Sequence, residues 1–158
     1  MGCGKSTHAK KLAKALGSSF IDLDNYIEKK EGMSIDEIFT KLGEDTFREK
    51  ETLYLGQVIA RYTNAVIALG GGTPCFNDNI KTILKNGTLV YIQMTPEALF
   101  NRIENALTPR PLLKDKSPEE SLEFIKALLK KRESYYNQAN FTVNGIDLTT
   151  NKLKEILL

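Results

Sequence analysis

Cysteine, histidine and long apolar runs are scarce in this chain of 158 residues, and each shortage argues against a class of protein. The two cysteines, Cys3 and Cys75, do not make the disulfide framework of a small secreted domain, so we expect a reducing, cytoplasmic setting. The single histidine, His8, has no Cys/His cluster around it with the spacing of metal ligands, and we expect it on an exposed helix surface.

No apolar run approaches the ~20 residues that span a bilayer, and lysines interrupt the amino-terminal segment where a secretion signal would lie. The net charge of +2 gives no reason to expect a nucleic-acid or membrane surface. The composition indicates one globular domain over residues 1–158, long enough to bury about two-thirds of its unfolded surface.

Short apolar runs alternate with helical segments along the chain, which is typical of a parallel sheet covered by helices. Capping boxes at Ser34 and Ser117 and an N-cap at Thr95 mark three helix starts. Strands are expected at 18–24, 65–72, 87–94 and 141–145. Helices are expected at about 6–16, 34–42, 45–62, 77–85, from 95 onward, 117–138 and 149–158.

The opening stretch, MGCGKST (1–7), matches the second half of the phosphate-binding pattern G-x-x-x-x-G-K-[ST]. In such a loop, backbone N–H groups and the following helix N-terminus hold phosphate. Lys5 would reach the β- and γ-phosphates, and the Ser6 hydroxyl would ligate Mg²⁺. The alternative is a flexible basic start to a helix, which the α/β pattern that follows disfavours.

Two carboxylates lie at the end of the first expected strand (18–24), in the stretch FIDLD (20–24). The i, i+2 spacing of Asp22 and Asp24 on a strand would place both on one face, at the edge where open α/β sheets bind ligands. One could support Mg²⁺ while the other accepts a hydrogen bond from a substrate hydroxyl. Alternatively, Asp24 caps the helix that begins at Asn25.

Two arginines occupy helical stripes that are otherwise largely apolar. Arg48 shares its stripe with Glu51, which is placed to pair with it, and with Leu55 and Ile59. Arg132 follows the same spacing among Leu122, Ile125, Leu129 and Tyr136. Either could be a surface arginine with a buried stem, but a pair near a phosphate loop favours bidentate recognition of a planar anion such as a carboxylate.

Two further segments are hard to explain by packing alone. Gly70, Gly71 and Gly72 end an apolar strand, which suggests that a ligand approaches bare backbone there. Arg110 lies in the proline-stiffened TPRPLL (108–113), within a loop at about 106–116 that is long enough to act as a lid and bring a cation to the transferring phosphate. An exposed loop arginine is the alternative.

Together these residues resemble the shikimate kinases, which belong to the nucleoside-monophosphate-kinase-like P-loop group. The resemblance covers essentially the whole chain in order, through MGCGKST, DLD, FREKE, GGG, RPLL and RESYY. It implies a three-layer α/β/α P-loop kinase with a central parallel sheet, a substrate-binding segment at about 24–62 and a lid at about 106–116. It also implies transfer of the ATP γ-phosphoryl group to the 3-hydroxyl of shikimate, with Mg²⁺, on the route to chorismate and the aromatic amino acids. A cytoplasmic monomer without a nucleic-acid or membrane partner is expected.

The resemblance also implies a role for each matching residue. The catalytic residues would be Lys5, Asp24 and Arg110. The nucleotide would contact Gly2, Cys3, Gly4, Lys5, Ser6, Thr7, Arg102 and Arg110, with Arg102 near the adenine. Shikimate would contact Asp24, Arg48, Gly70, Gly71, Gly72 and Arg132, with the two arginines on its carboxylate. The metal would be held by Ser6 with support from Asp22.

The chain departs from the family at its start, where about ten residues that form the first, central strand are absent. Three explanations stay open: Met1 is an internal methionine of a longer natural protein, the chain has been trimmed, or it is a naturally shortened, inactive relative that binds ligands. The later motifs are intact, which argues against the third. Another small-metabolite kinase of the group, such as gluconate kinase or a nucleotide kinase, is the alternative activity.

Overall fold

A computed structural model describes residues 2–105 and 116–158 of the chain, so Arg110 and almost all of the expected lid lie outside the described residues. Helices and short strands alternate along the chain, as the sequence predicts. The helices are α1 (Lys5–Leu16), α2 (Leu23–Glu31), α3 (Ile35–Arg61), α4 (Asn79–Asn86), α5 (Pro96–Glu104), α6 (Pro118–Tyr136) and α7 (Thr150–Leu157). The strands are β1 (Ser19–Asp22), β2 (Ala65–Ala68), β3 (Val90–Gln93) and β4 (Phe141–Asn144).

Side-chain caps begin three of these helices where the sequence predicts them. Ser34 and Ser117 both form complete capping boxes, with Glu37 and Glu120 as their partners. Thr95 caps α5 ahead of Pro96. The two helices expected at 34–42 and 45–62 correspond to α3, which consists of two helical segments separated by a kink at Gly43, where φ is 84° and ψ is 167°, outside the helical region. Glycine adopts a positive φ without the steric cost of a Cβ, so the chain can change direction between the two helical segments.

The strands form two separate parallel pairs. Ser19–Asp22 pairs in register with Ala65–Ala68, and Val90–Gln93 with Phe141–Asn144. Within the described residues β2 and β3 are not paired with each other. A cleft of about 510 Å³ with a mainly apolar lining, including side chains of both β2 and β3, occupies the space between them. The described strands are therefore divided into two pairs, which agrees with the gap expected in the middle of the parallel sheet.

The core consists of three apolar clusters that fix the helices on the strands. The first joins α2 and α3 to β1, and its fully buried members include Leu23, Ile27, Ile38 and Val58. The second joins α5 to α6, and the third joins α1 to α7. No helix of the described ranges is long and apolar enough to cross a membrane. Because β1 and β2 are parallel, their carboxyl ends meet at one edge, which carries Asp22 and the three glycines.

Candidate active site

The phosphate loop turns through two glycines into the start of α1. Gly2 and Gly4 have φ of 72° and 80°, a left-handed conformation that side chains rarely adopt. Gly4 stands at the N-cap and offers no side chain to the first-turn N–H groups, and no acidic residue lies in that turn. The N-terminus of a 12-residue helix with Lys5 as its first residue is therefore suited to bind an anion.

Ser6 and Asp22 meet directly, although the sequence separates them by 16 residues. The Ser6 hydroxyl donates a 2.6 Å hydrogen bond to Oδ2 of Asp22. The other oxygen of Asp22 accepts a 3.4 Å hydrogen bond from the backbone N–H of Asn25 and so caps α2. A hydroxyl oxygen and a carboxylate oxygen are hard ligands of the kind that Mg²⁺ prefers, so this pair suits the metal that the sequence predicts here.

Asp24 lies in the first turn of α2, because β1 ends at Asp22. The expected strand through residue 24 was too long, and the helix is capped by Asp22 rather than by Asp24. Both errors have one cause: the helix begins immediately after the strand, so the alternation of a strand does not extend to residue 24. The two carboxylates nevertheless stay at the same edge of the sheet.

Burial raises the pKa of Asp24, and the neighbouring carboxylates Asp22, Glu51 and Glu28 raise it further, while the positive charge of Lys5 opposes them. A carboxyl group with a raised pKa is a better proton acceptor when ionised than an ordinary aspartate. Asp24 also faces the glycine segment, since a Cβ on Gly70 would lie 3.2 Å from its Oδ1. It thus lies between the phosphate loop and the end of β2.

Arg48 is held by carboxylates on its own helix. Its Nη1 is 2.8 Å from Oε2 of Glu51, the partner that the spacing predicts, and Glu51 is only 1% exposed. Its Nε and Nη2 both donate to Oε1 of Glu44, at 3.2 and 3.1 Å. The hydroxyl of Thr73 donates a 2.6 Å hydrogen bond to the second oxygen of Glu51, which links α3 to the turn after the glycines. The buried carboxylate is therefore fully paired.

Arg132 approaches the same turn from α6. Both Arg48 and Arg132 lie close enough to Cys75 for their charges to act against the burial that raises the pKa of its thiol. Tyr136, one helical turn after Arg132, donates a 2.7 Å hydrogen bond to the carbonyl oxygen of Gly71. Burial raises the pKa of Tyr136, and Arg132 again opposes that shift. The charges of both arginines thus act on Cys75, in the turn that follows the glycine segment.

Two positions of the glycine segment, residues 70–72, have no room for a side chain. A Cβ on Gly72 would lie 2.8 Å from both Nη1 and Nη2 of Arg48, closer than real Cβ contacts. A Cβ on Gly70 would lie 3.0 Å from the Thr73 hydroxyl and 3.2 Å from Glu51 Oε1. The arginine, the threonine hydroxyl and the carboxylates therefore lie directly against bare backbone at these two positions.

Arg102 and His8 support the phosphate loop. Arg102 donates to the carbonyl oxygens of Cys3, at 3.3 Å, and Gly145, at 3.2 Å, and so ties the loop to the end of β4. His8 packs its ring beside Gly4 and is partly covered, not fully exposed as expected. Burial lowers the pKa of His8, and the charges of Lys11 and Arg102 lower it further. The neutral imidazole is therefore favoured beside the loop.

Sequence reasoning did not assign a role to Thr73, Tyr136, Phe76 or Glu44. Tyr136 was noticed only as a member of an apolar stripe, although its hydroxyl needs a partner when buried. Thr73 directly follows the three glycines, and a polar residue at that point was an available signal. Glu44 lies four residues before Arg48, which is the spacing of a helical ion pair.

A glycine loop that leads into a helix N-terminus at the edge of a parallel strand pair, with the Ser6–Asp22 pair beside it, is typical of a P-loop phosphotransferase. A family model described as "SKI: Shikimate kinase" matches residues 1–157, and the chain belongs to the shikimate kinase family. It is therefore an ATP-dependent kinase that phosphorylates shikimate.

Named relatives and solved structures agree with this assignment. A shikimate kinase of Azobacteroides pseudotrichonymphae is 43% identical over 158 residues, which is 100% of this chain and 93% of the relative. A crystal structure of the Bacteroides thetaiotaomicron shikimate kinase superposes with a TM-score of 0.94 at 38% identity, over 99% of this chain and 93% of that one. The Acinetobacter baumannii enzyme, solved in complex with shikimate, gives a TM-score of 0.85 at 35% identity, over 99% and 86% of the two chains. The P-loop kinase fold expected from the sequence is confirmed.

Proposed function

We propose that this chain transfers the γ-phosphoryl group of Mg-ATP directly to the 3-hydroxyl of shikimate, at the junction between the phosphate loop and the pocket of Arg48 and Arg132. The observation that carries this proposal is the position of Asp24. Lys5 influences it from the phosphate side, and Gly70 and Glu51 lie next to it on the pocket side. A group between donor and acceptor sites can act on the hydroxyl that reacts.

On the nucleotide side, ATP is held by the backbone N–H groups of residues 2–7. Lys5 contacts the β- and γ-phosphates, and the charge of the α1 N-terminus adds to its effect. Ser6 and Asp22 would hold Mg²⁺. Their 2.6 Å hydrogen bond places a hydroxyl oxygen and a carboxylate oxygen side by side, and both are ligands that Mg²⁺ prefers. When bound, the ion neutralises charge on the phosphate oxygens. Arg102 orders the loop near the adenine site through its contacts with Cys3 and Gly145.

On the acceptor side, Arg48 and Arg132 hold the carboxylate of shikimate by charge-assisted hydrogen bonds. The exposed backbone of Gly70, Gly71 and Gly72 lines the ring of the substrate. Asp24 accepts hydrogen bonds from the hydroxyl groups and orients the one that attacks. The segment at about 24–62 thus carries most of the acceptor site, within a single domain that spans residues 1–158.

The reaction needs no covalent enzyme intermediate. The 3-hydroxyl oxygen attacks the γ-phosphorus in line, the bond to the bridging oxygen of ADP breaks, and the hydroxyl proton passes to Asp24. The raised pKa of Asp24 favours that transfer. Lys5 stabilises the negative charge on the transferring group, and Arg110 of the lid at about 106–116, outside the described residues, adds a second cation.

We also propose a cytoplasmic monomer. Cys3 and Cys75 are both free thiols in the described residues, as suits a reducing compartment. Size-exclusion chromatography with light scattering tests the oligomeric state, since a monomer has a mass of 17.7 kDa.

Product analysis over a panel of acceptors tests the proposed function. The chain is incubated with Mg-ATP and either shikimate, gluconate or AMP, and the products are identified by mass spectrometry and ³¹P NMR. We expect one phosphoryl group on the 3-hydroxyl of shikimate and no product from the others. Phosphorylation of another hydroxyl would contradict the proposed orientation, and product from gluconate or AMP alone would contradict the acceptor assignment. Binding of shikimate and ADP without turnover would instead indicate the inactive relative.

A further inference from the structure

The hydrogen bonds of Arg48 leave one specific part of its guanidinium group open. An arginine carries five N–H donors. The Nε donor and one Nη2 donor bind Glu44, and one Nη1 donor binds Glu51. Within the part of the chain that the structure describes, one N–H group on each terminal nitrogen therefore has no protein partner. Two such donors on neighbouring nitrogens are what a carboxylate needs for bidentate binding.

An aromatic ring covers one face of the same guanidinium group. The central carbon of Arg48 lies 4.0 Å from the ring centroid of Phe76, and the rings of Phe47 and Phe39 are farther away, at 5.1 and 5.9 Å. A cation within about 6 Å of an aromatic centroid is attracted by the ring quadrupole. With 11% of its side chain exposed, Arg48 has little freedom to choose another rotamer.

Gly72 lies directly against the two terminal nitrogens of Arg48. A Cβ there would lie 2.8 Å from Nη1 and from Nη2, the nitrogens with a remaining donor. Glu44 holds the edge formed by Nε and Nη2, Phe76 covers one face, and only a residue without a side chain fits beside the terminal nitrogens. The orientation of the guanidinium group is thus set before a ligand arrives, which lowers the entropic cost of binding.

We propose that Glu44 and Phe76 are positioning residues that hold Arg48 with its two terminal donors turned toward the acceptor pocket. This inference rests on the proposed function, in which Arg48 binds the carboxylate of shikimate. Neither residue needs to touch the substrate, and Glu44 keeps its own edge of the guanidinium group when the acid occupies the other. Binding of the acid therefore does not displace Glu44.

Steady-state kinetics on four single variants tests this inference. Glu44→Ala and Phe76→Leu should each raise the KM for shikimate by about threefold to tenfold, while the kcat and the KM for ATP stay within about twofold. Glu44→Gln should restore most of the affinity, because its amide oxygen can still accept from Nε and Nη2. Glu49→Ala, at an exposed glutamate of the same helix, is the matched control and should have the wild-type KM.

The outcomes separate this inference from the proposed function. A lower KM for shikimate in Glu44→Ala would mean that Glu44 competes with the acid for Arg48. An unchanged KM in both Glu44→Ala and Phe76→Leu would mean that neither residue positions Arg48. Either result overturns the inference. Arg48→Ala tests the proposed function on which this inference rests, because an unchanged KM for shikimate in that variant would contradict the acceptor site itself. Glu44 is 54% exposed, so Glu44→Ala should fold normally even if Phe76→Leu melts at a lower temperature.

Discussion

The hydroxyl of Tyr136 donates a 2.7 Å hydrogen bond to the carbonyl oxygen of Gly71, which joins helix α6 to the glycine segment after β2. The ring of Tyr136 also packs against Tyr91 of β3, with centroids 4.7 Å apart. Arg132 lies on the same helix, one turn earlier. The position of Arg132 relative to the glycine segment therefore depends on contacts of Tyr136.

Tyr136→Phe removes the hydroxyl and retains the ring. We expect the KM for shikimate to rise by roughly threefold to tenfold, as the loss of one hydrogen bond of about 0.5–1.5 kcal/mol implies, while the KM for ATP does not change. Steady-state kinetics with each substrate varied in turn measures both constants. Equal increases in the two KM values would contradict a role confined to the acceptor side.

Gly72→Ala places a methyl group where Arg48 now lies. Residue 72 has a φ of −88°, so the backbone accepts alanine without strain and the effect comes from the collision with Nη1 and Nη2. We expect shikimate affinity to fall by at least about tenfold, measured by isothermal titration calorimetry, since displaced Arg48 loses its alignment.

Gly56→Ala is the matched control for that change. Nothing lies within 4 Å of a Cβ at residue 56, which is inside helix α3, so this variant should bind shikimate normally. Alanine should also make the helix more stable there, by roughly 0.5–1 kcal/mol. Equal loss of affinity in both variants would show that the crowding at Arg48 is not the cause.

Asp24→Asn should stabilise the protein while it removes activity. Burial raises the pKa of Asp24 above its ordinary 3.8, so the folded chain binds this proton more tightly than the unfolded chain does. The stabilising effect of the proton is complete below that ordinary value and is lost as the pH rises through the raised pKa. At neutral pH the ionised carboxylate therefore destabilises the fold, and the neutral amide relieves this.

Thermal unfolding against pH measures the effect of Asp24→Asn. We expect a melting temperature roughly 2–4 °C above wild type at neutral pH, with the difference shrinking as the pH falls toward the ordinary value of an aspartate. The kcat should decrease by roughly 10²–10⁴-fold because the hydroxyl loses its proton acceptor. A melting temperature below that of wild type at neutral pH would contradict the burial argument.

Arg132→Ala should weaken the acceptor site and leave the nucleotide site intact. Loss of a charge-assisted partner of the carboxylate is expected to raise the dissociation constant for shikimate by roughly 10²-fold, while ATP affinity stays the same. Calorimetric titration with each ligand checks both. If shikimate affinity survived the change, the role of Arg132 in carboxylate binding would be wrong.

Local sequence signals predicted much of this architecture. The capping boxes at Ser34 and Ser117 and the N-cap at Thr95 depend on residues three or four positions apart, so they can be identified without tertiary information. The pairing of Arg48 with Glu51 follows from the same helical spacing. The ordered motifs also identified the family, which the family model confirms.

Contacts between distant segments were harder to predict. The Thr73–Glu51 hydrogen bond joins residues 22 apart, and the Tyr136–Gly71 bond joins residues 65 apart. Neither follows from periodicity, because each depends on how helices α3 and α6 pack around the end of β2. The boundary between β1 and α2 was placed two residues late for a different reason, since Asp22 both ends the strand and caps the helix.

Release of ADP from Mg-ATP, with and without shikimate, tests the central claim most directly. The account predicts release by the 158-residue chain that depends on shikimate. Lys5→Ala should lower that release by roughly 10²–10³-fold while shikimate still binds, because Lys5 stabilises charge on the transferring phosphoryl group. Absence of shikimate-dependent release, or equal release by the Lys5→Ala variant, would contradict the account.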